Sequence, residues 1–581
     1  MKRTVIKVAG ESGMGLLSVG NIVSKALKGM GFYVVSDREY PSLIKGGHSN
    51  LQIDFSAEPL HSLSKSVDFV IALDRPGLVE YMNIVKPGGV LIHGFERHQS
   101  IPNLETRAKE RGIHMIYLPA RTLAYSLGGT ELMANMVLLG LLWRLLGFDL
   151  KPLETGIEKQ FANKPKLLTI DLQCVRVGFS AQEGNGGFVG ACHGAPTQTP
   201  DTILVNGNQA ITLGAIQAGV RAYYAYPMSP ASSILTYMAE YARETGLLVK
   251  QAEDEITAAQ MAVGSMFMGT RALVATSGGG YDLMTETVSL AGMIETPLVI
   301  VIAQRPGPAT GLPTWSAQAD LNLAIHSGHG EFARVVIGVS DPASCYELIQ
   351  HAMNYADEFQ TAVIVLTEKT ICEMQTTVPP FEEGKIPIKR GLLVTDPKEL
   401  ETLKASDRFK ITENGLSKRW IPGSGKTWFY GNGDEHKEDG VLTEEGAEVS
   451  AMIAKRMKKM ETIEKALPEP TIHGVKKGAA ISFVGWGSSK NAVLDAIQNC
   501  KEKGITVNYL HFDYLWPFKT ATLTQFFRDN QNVHLIEGNY QGQLGNLIEA
   551  LPNLRFKGRL LQWNGRPFCM EDVTDYISRH S

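Results

Sequence analysis

Short apolar β-rich runs alternate with longer runs of helical period in three stretches of this chain. In the first, residues 1–175, the β-rich runs are Thr4–Ala9, Phe32–Val35, Leu51–Phe55, Phe69–Leu73, Val90–His93 and His114–Leu118. In the second, from Ile203 to about Cys372, they are Ala222–Tyr226, Ala272–Thr276, Leu298–Ile302, Arg334–Ile337 and Ala362–Leu366. In the third, from Ala480 onward, they are Ala480–Val484, Thr506–Leu510, Val533–Glu537 and Leu560–Gln562. This alternation predicts an α/β fold with mostly parallel sheets. We expect three α/β domains, at 1–185, 200–375 and 476–581. The Gly-rich stretch Glu183–Thr199 reads as a linker. Residues 376–475 are polar and irregular, with Pro379-Pro380 and a charged helix around Glu444–Lys465, and read as an irregular linker segment.

The 581 residues are 44% hydrophobic and 20% charged, an ordinary globular mix. A net charge of −4 gives no electrostatic reason to expect a nucleic-acid partner. The apolar run Met136–Trp143 stops at Arg144, too short to span a bilayer, so no membrane partner is expected. The chain enters its first strand pattern without an h-region, and a cytoplasmic location is expected. The six cysteines are scattered and form no CxxC. Neither a disulfide framework nor a metal or iron–sulfur site of this chain's own is expected.

Candidate chemistry concentrates between Tyr224 and Asp320. Four motifs stand there at the ends of apolar runs or the starts of helical ones: YPMSPASS (Tyr226–Ser233), EDEITAAQ (Glu253–Gln260), TSGGG (Thr276–Gly280) and QRPGPATGLPT (Gln304–Thr314). Loops in such positions converge on one rim of a parallel sheet, where ligands bind. Glu255 opens a helix with Ala258, Ala259 and Gly264 on a tightly packing face. A carboxylate so placed is partly buried and needs a partner; the same position suits an acid that only complements the helix dipole. Glu253 and Asp254 are expected to face solvent. Arg305 follows a buried strand and precedes Pro306-Gly307-Pro308, which suits a bidentate hold on a substrate carboxylate or an internal ion pair. Ser229 can donate to the same carboxylate or cap the helix beginning near Ala231.

Two further motifs carry less. Gly10–Gly20 (GESGMGLLSVG) follows the first strand, with Asp37 past the second. It suits a dinucleotide phosphate or a tight strand-to-helix turn, and its glycine spacing departs from G-x-G-x-x-G. PGSGKTW (Pro422–Trp428) lacks the first P-loop glycine, since Trp420 stands there, and nucleotide hydrolysis is excluded.

Taken together these residues resemble the 2-oxoacid:ferredoxin oxidoreductase family, and more closely its α subunit with a γ domain fused ahead of it. YPMSP is similar to the family's YPITP-type loop, with Ser229 for Thr. Glu255–Gly264 is similar to the helix bearing the thiamine-activating glutamate. Thr276–Gly280 and Gln304–Thr314 are similar to its TSGPG/TSGGG and arginine loops. Gly207–Ala210 (GNQA), Leu515–Lys519 (LWPFK), EGNYQGQL (Glu537–Leu544) and PSLIKGGHS (Pro41–Ser49) are similar to its GNEA, LxPxP, ExNxxGQL and SxIRGGxS segments.

The resemblance implies a γ domain, a pyrimidine-binding domain for thiamine diphosphate and a transketolase-C-terminal-like domain, in that order. It implies that Glu255 hydrogen-bonds the cofactor's aminopyrimidine, with Pro227, Ser277 and Gly278 as further cofactor contacts. Arg305, Ser229 and Thr310 hold the 2-oxoacid. By charge logic, Lys45 meets a second, distal carboxylate if the γ domain closes over the site, or is a surface lysine before a Gly-Gly turn. The chain lacks a GDG-x-N motif and a cysteine cluster. Mg2+ and a [4Fe-4S] cluster are therefore expected on a β subunit, in an α2β2 assembly serving ferredoxin and coenzyme A. The activity implied is reversible, CoA-acylating oxidation of 2-oxoglutarate. Pyruvate or branched-chain 2-oxoacids are the alternative substrates. An NAD-linked dehydrogenase and a non-catalytic scaffold subunit are the alternatives of other classes.

Overall fold

The computed structural model describes residues 2–42, 47–95, 101–181, 196 and 200–580. Lys45 and nearly all of Glu183–Thr199 lie outside the described residues. The chain divides into two units. One holds the residues up to Val205 together with Met374–Pro380 and Cys569–Asp572; the other holds Asn206–Glu373, Phe381–Phe568 and the residues from Val573.

The first unit is built on an eight-stranded sheet, ordered His114–Tyr117, Val85–His93, Val67–Ala72, Thr4–Glu11, His48–Ser56, Tyr33–Glu39, Gln375–Val378, Ile203–Val205. The first four strands are parallel and the remaining pairings antiparallel. Too few residues separate Tyr33–Glu39 from His48–Ser56 for the crossover that a parallel pair requires, so they form a hairpin. Asp37 consequently lies inside a strand, paired with Gln52, rather than beyond it where a ribose-binding acid would stand.

The Gly10–Gly20 turn serves packing. A Cβ on Gly20 would come within 2.4 Å of Leu51 Cδ1, so the glycine lets the helix Leu16–Gly29 lie close on the sheet. Met136–Trp143 falls in the buried helix Ala134–Leu145. Its Gly140 faces Val175 O, where a Cβ would stand at 2.1 Å. Among the described residues no single helix is long and apolar enough to cross a membrane.

The second unit carries two sheets. Seven strands run Tyr514–Trp516, Arg334–Gly338, Ala362–Glu368, Leu298–Gln304, Ala272–Thr276, Ala222–Ala225, Leu248–Gln251. All are parallel except Tyr514–Trp516. Five more run Thr471–Gly474, Val507–Phe512, Ile481–Trp486, Val533–Glu537, Gly558–Leu561, parallel except the first. One apolar core joins the sheets through Ile302, Leu366, Trp486, Phe512 and Leu544.

The polar segment after Pro380 contains the helix Gly446–Ala466 and little other regular structure, yet it is firmly packed. Trp420 and Phe409 are fully buried. Asp357 accepts hydrogen bonds from Arg271 Nε (2.8 Å) and Arg419 Nη2 (2.6 Å) and pairs with Arg390 Nε at 3.1 Å. A buried carboxylate shared by three guanidiniums ties the segment to the seven-stranded sheet.

Candidate active site

All four motifs lie at the carboxyl edge of the seven-stranded sheet. Tyr226 follows Ala222–Ala225, Ser277 follows Ala272–Thr276, Arg305 follows Leu298–Gln304, and Glu255 begins its helix just beyond Leu248–Gln251. Parallel strands place successive loops on one rim, so residues distant in sequence share a crevice.

Glu255 is the first residue of the helix Glu255–Phe267, and only 3% of it is exposed. Its position is set by Asp254, whose carboxylate caps the helix by accepting from Thr257 N at 2.7 Å. Asp254 is thus a partly buried cap rather than a solvent-facing neighbour, while Glu253 is exposed. With the dipole-facing turn already capped, Glu255 points elsewhere. Its Oε1 finds no hydrogen-bond partner among the described residues. Neither do the buried hydroxyls of Thr276 and Ser277. A Cβ on Gly280 would stand 2.0 Å from Thr276 Oγ1 and 2.6 Å from Glu255 Oε1, so only glycine fits beside these two groups. Desolvated polar atoms without partners cost stability, and their clustering marks a site built for a polar ligand. The donor and acceptor set suits an aminopyrimidine ring.

The arginine loop is closed on itself: Leu312 N donates to Pro306 O at 2.9 Å, and Gly311 has φ +52° where a Cβ would strike Pro306 O. Arg305 Nη1 donates to the backbone carbonyl of Ser229 at 2.7 Å. Ser229 is exposed, and its side chain does not cap the helix Ser232–Thr245. Pro227 and Thr310 are exposed on the same two loops. Gly278 packs against Asp320, with the position of a Cβ 2.6 Å from Asp320 Oδ2.

Three supports act through partners that residue patterns do not show. Asn208 Nδ2 donates to Pro230 O (2.9 Å) and to Ser233 Oγ (2.6 Å), pinning the YPMSP loop from the GNQA turn. Gln318 spans the two sheets: its Nε2 donates to Glu368 Oε1 (3.1 Å) and Trp486 O (2.9 Å), and its Oε1 accepts from Gly538 N (2.6 Å). Glu537 accepts from Trp486 Nε1 (3.0 Å), Asn539 Nδ2 (2.8 Å) and Leu544 N (3.0 Å). The EGNYQGQL motif is therefore a turn built on the buried, satisfied Glu537, with Tyr540 exposed, and it holds Gln318 and with it the loop running from Arg305 to Asp320. A hollow of about 370 Å3 lined by Glu286, His329, Glu435 and Arg456 shares no residue with this crevice. Within it Arg456 pairs with Glu435, and His329 Nε2 lies 3.0 Å from Glu286 Oε2.

Two family models match this chain. "Pyruvate ferredoxin/flavodoxin oxidoreductase" covers residues 5–181, and "Pyruvate flavodoxin/ferredoxin oxidoreductase, thiamine diP-bdg" covers residues 213–456. The α subunit of a 2-oxoacid:ferredoxin oxidoreductase from a Sulfolobus species is 30% identical over 98% of this chain and 96% of its own length. The chain belongs to the 2-oxoacid:ferredoxin oxidoreductase family.

This oxidoreductase α chain is also similar to the 2-oxoglutarate oxidoreductase subunit KorA of Mycobacterium tuberculosis, at 27% identity over 95% of this chain and 87% of the relative. Among solved structures it matches a 2-oxoglutarate:ferredoxin oxidoreductase from Magnetococcus marinus, described with 2-oxoglutarate, coenzyme A and succinyl-CoA bound. The TM-score is 0.91, with 28% identity and 100% of each chain covered. The oxidoreductase thus carries a thiamine diphosphate-binding region that includes Glu255, Ser277 and Arg305.

Proposed function

We propose that this chain is the α subunit of a 2-oxoglutarate:ferredoxin oxidoreductase, in which Glu255 serves thiamine diphosphate and Arg305 reads the substrate's C1 carboxylate. The observation that carries the reading is the buried Glu255 Oε1, unpaired among the described residues and held open by Gly280. When bound, the cofactor supplies the electron sink for decarboxylation.

Glu255 holds a proton at the aminopyrimidine nitrogen from a fixed, water-poor position, where a carboxylate is electrostatically strong. Ser277, Gly278 and Pro227 would be the further contacts that hold the cofactor. Arg305 spends one N–H on the Ser229 carbonyl. The rest of its guanidinium fork takes the C1 carboxylate, and the Ser229 and Thr310 hydroxyls complete that contact. The distal-carboxylate role considered for Lys45 rests on charge alone, since Lys45 lies outside the described residues.

The substrate assignment rests on the KorA relative and the Magnetococcus enzyme. We assign Mg2+ and a [4Fe-4S] cluster to a β subunit, in an α2β2 complex that uses coenzyme A and ferredoxin. Burial pushes the thiols of Cys174, Cys345, Cys372 and Cys500 above their ordinary range, the reverse of what cluster-binding thiolates need. The domain reading remains 1–185, 200–375 and 476–581 with 376–475 between the last two; the family match over residues 5–181 supports its first border, whereas the match over 213–456 runs past residue 375.

The test is reduction of a low-potential viologen by the complex with its β chain and coenzyme A, with 2-oxoglutarate and pyruvate in parallel. Turnover with 2-oxoglutarate alone is the expected result. Turnover with pyruvate alone overturns the substrate assignment and leaves the roles of Glu255 and Arg305 standing.

A further inference from the structure

Thr276 ends the buried strand Ala272–Thr276, one position before Ser277, and only 1% of it is exposed. Its β-branched side chain has few χ1 rotamers available and its backbone is fixed in register opposite Ile302, so the strand sets the direction of the hydroxyl. That hydroxyl and the Glu255 carboxylate flank a single point, the place where a Cβ on Gly280 would stand. Thr276 Oγ1 is 2.0 Å from it, Glu255 Oε1 2.6 Å and Glu255 Cγ 3.0 Å. Neither oxygen has a hydrogen-bond partner among the described residues. A donor whose hydrogen rotates freely and an acceptor with spare lone pairs thus stand side by side, both buried and both unspent.

Resting on the reading of Glu255 as the carboxylate that serves the aminopyrimidine, we propose that Thr276 is a positioning residue for Glu255. In the holoenzyme its hydroxyl donates to Oε1 and holds the carboxylate in its working direction. A filled crevice excludes water, and a hydroxyl or a carboxylate oxygen left without a partner there is costly. A small turn of the two groups toward each other removes both costs at once. Gly280 makes the approach possible, since any side chain at that position would occupy the gap. A carboxylate has about four lone-pair sites on its two oxygens, so accepting from Thr276 leaves Glu255 able to serve the aminopyrimidine nitrogen.

The test follows hydrogen–deuterium exchange at C2 of thiamine diphosphate bound to the holoenzyme, in T276V, T276A, T276S and E255Q. Cofactor affinity and the melting temperature of the cofactor-stripped complex are measured alongside. T276V keeps the shape of the side chain and loses the hydroxyl. It and T276A are expected to slow exchange at least about tenfold with the cofactor bound, as for a lost hydrogen bond to a charged group. T276S restores the hydroxyl and is expected to exchange within about threefold of wild type. The stripped T276V complex melts no earlier than wild type, because the hydroxyl it lacks has no partner there. Slowing of less than about tenfold in both T276V and T276A, a T276S variant as slow as T276V, or an earlier melt of stripped T276V overturns the proposal. E255Q separates the two claims. If it slows exchange while T276V and T276A do not, only the Thr276 inference fails. If it exchanges like wild type, the reading of Glu255 fails and takes the Thr276 inference with it.

Discussion

Arg305 and Ser229, 76 positions apart, are joined by one hydrogen bond: the guanidinium Nη1 donates to the backbone carbonyl at 2.7 Å. The bond fixes the arginine's direction before any ligand arrives and locks two rim loops together. The remaining donors of the fork are oriented without the entropy cost that a free side chain would bring.

Arg305→Lys keeps the charge and loses the fork. A charge-assisted bidentate contact contributes about 1.5–3 kcal/mol, so KM for the 2-oxoacid is expected to rise roughly ten- to a hundredfold. Steady-state kinetics with thiamine diphosphate saturating checks it, and affinity for the cofactor is expected to change little.

Gly280→Ala places a methyl group 2.0 Å from Thr276 Oγ1 and 2.6 Å from Glu255 Oε1. Glu255 must turn aside to make room. We expect thiamine diphosphate binding, followed by quenching of intrinsic fluorescence, to weaken at least about tenfold, with far-ultraviolet circular dichroism unchanged.

Asn208→Ala removes the donor to Pro230 O and Ser233 Oγ and leaves a buried carbonyl unpaired. The expected loss of stability is about 1–3 kcal/mol, read from denaturant unfolding. The YPMSP loop also loosens, so KM rises. Asn208→Asp, which keeps the shape and loses the amide donor, is expected to be at least as damaging.

Buried Glu295 pairs with both Lys455 and Lys459. Burial by itself raises this carboxyl, but the two ammonium groups prevail and hold it at about 2. A carboxyl depressed from its unfolded value contributes stability that is complete above that value, near 4.5, and is lost as pH falls toward 2. Burial lowers Lys455 to about 7 and lowers Lys459, and Glu295 opposes both shifts, so Glu295→Gln leaves two buried amines with no carboxylate to hold their protons. It is expected to cost about 3–5 kcal/mol at neutral pH and to flatten the acid limb of the unfolding curve.

The strands and the rim were legible because buried parallel strands read as apolar runs and the site motifs follow them directly. Glu255, Arg305 and Ser229 could be singled out from residue type and position. What the pattern left open was the direction of each side chain. Ser229 at a helix start suits a cap, yet its carbonyl rather than its hydroxyl is engaged. Asp37 suits a ribose-binding acid until the hairpin places it inside a strand. The polar stretch after Pro380 reads as a linker because its core residues, Phe409 and Trp420, form no periodic run and its arginines find partners far away in sequence, Arg419 at Asp357 and Arg408 at Ile294 O. Asp320 and Gln318 gave no local signal at all, since their partners at Gly278, Gly538 and Trp486 become neighbours only after the sheets pack.

The most direct test of the account is hydrogen–deuterium exchange at C2 of thiamine diphosphate bound to wild-type holoenzyme and to Glu255→Gln. If Glu255 is the carboxylate that serves the aminopyrimidine, exchange slows by about 10²–10⁴, the range of general-base contributions, while cofactor affinity falls far less. Exchange in the glutamine variant within a few fold of wild type, with the cofactor bound, would contradict it.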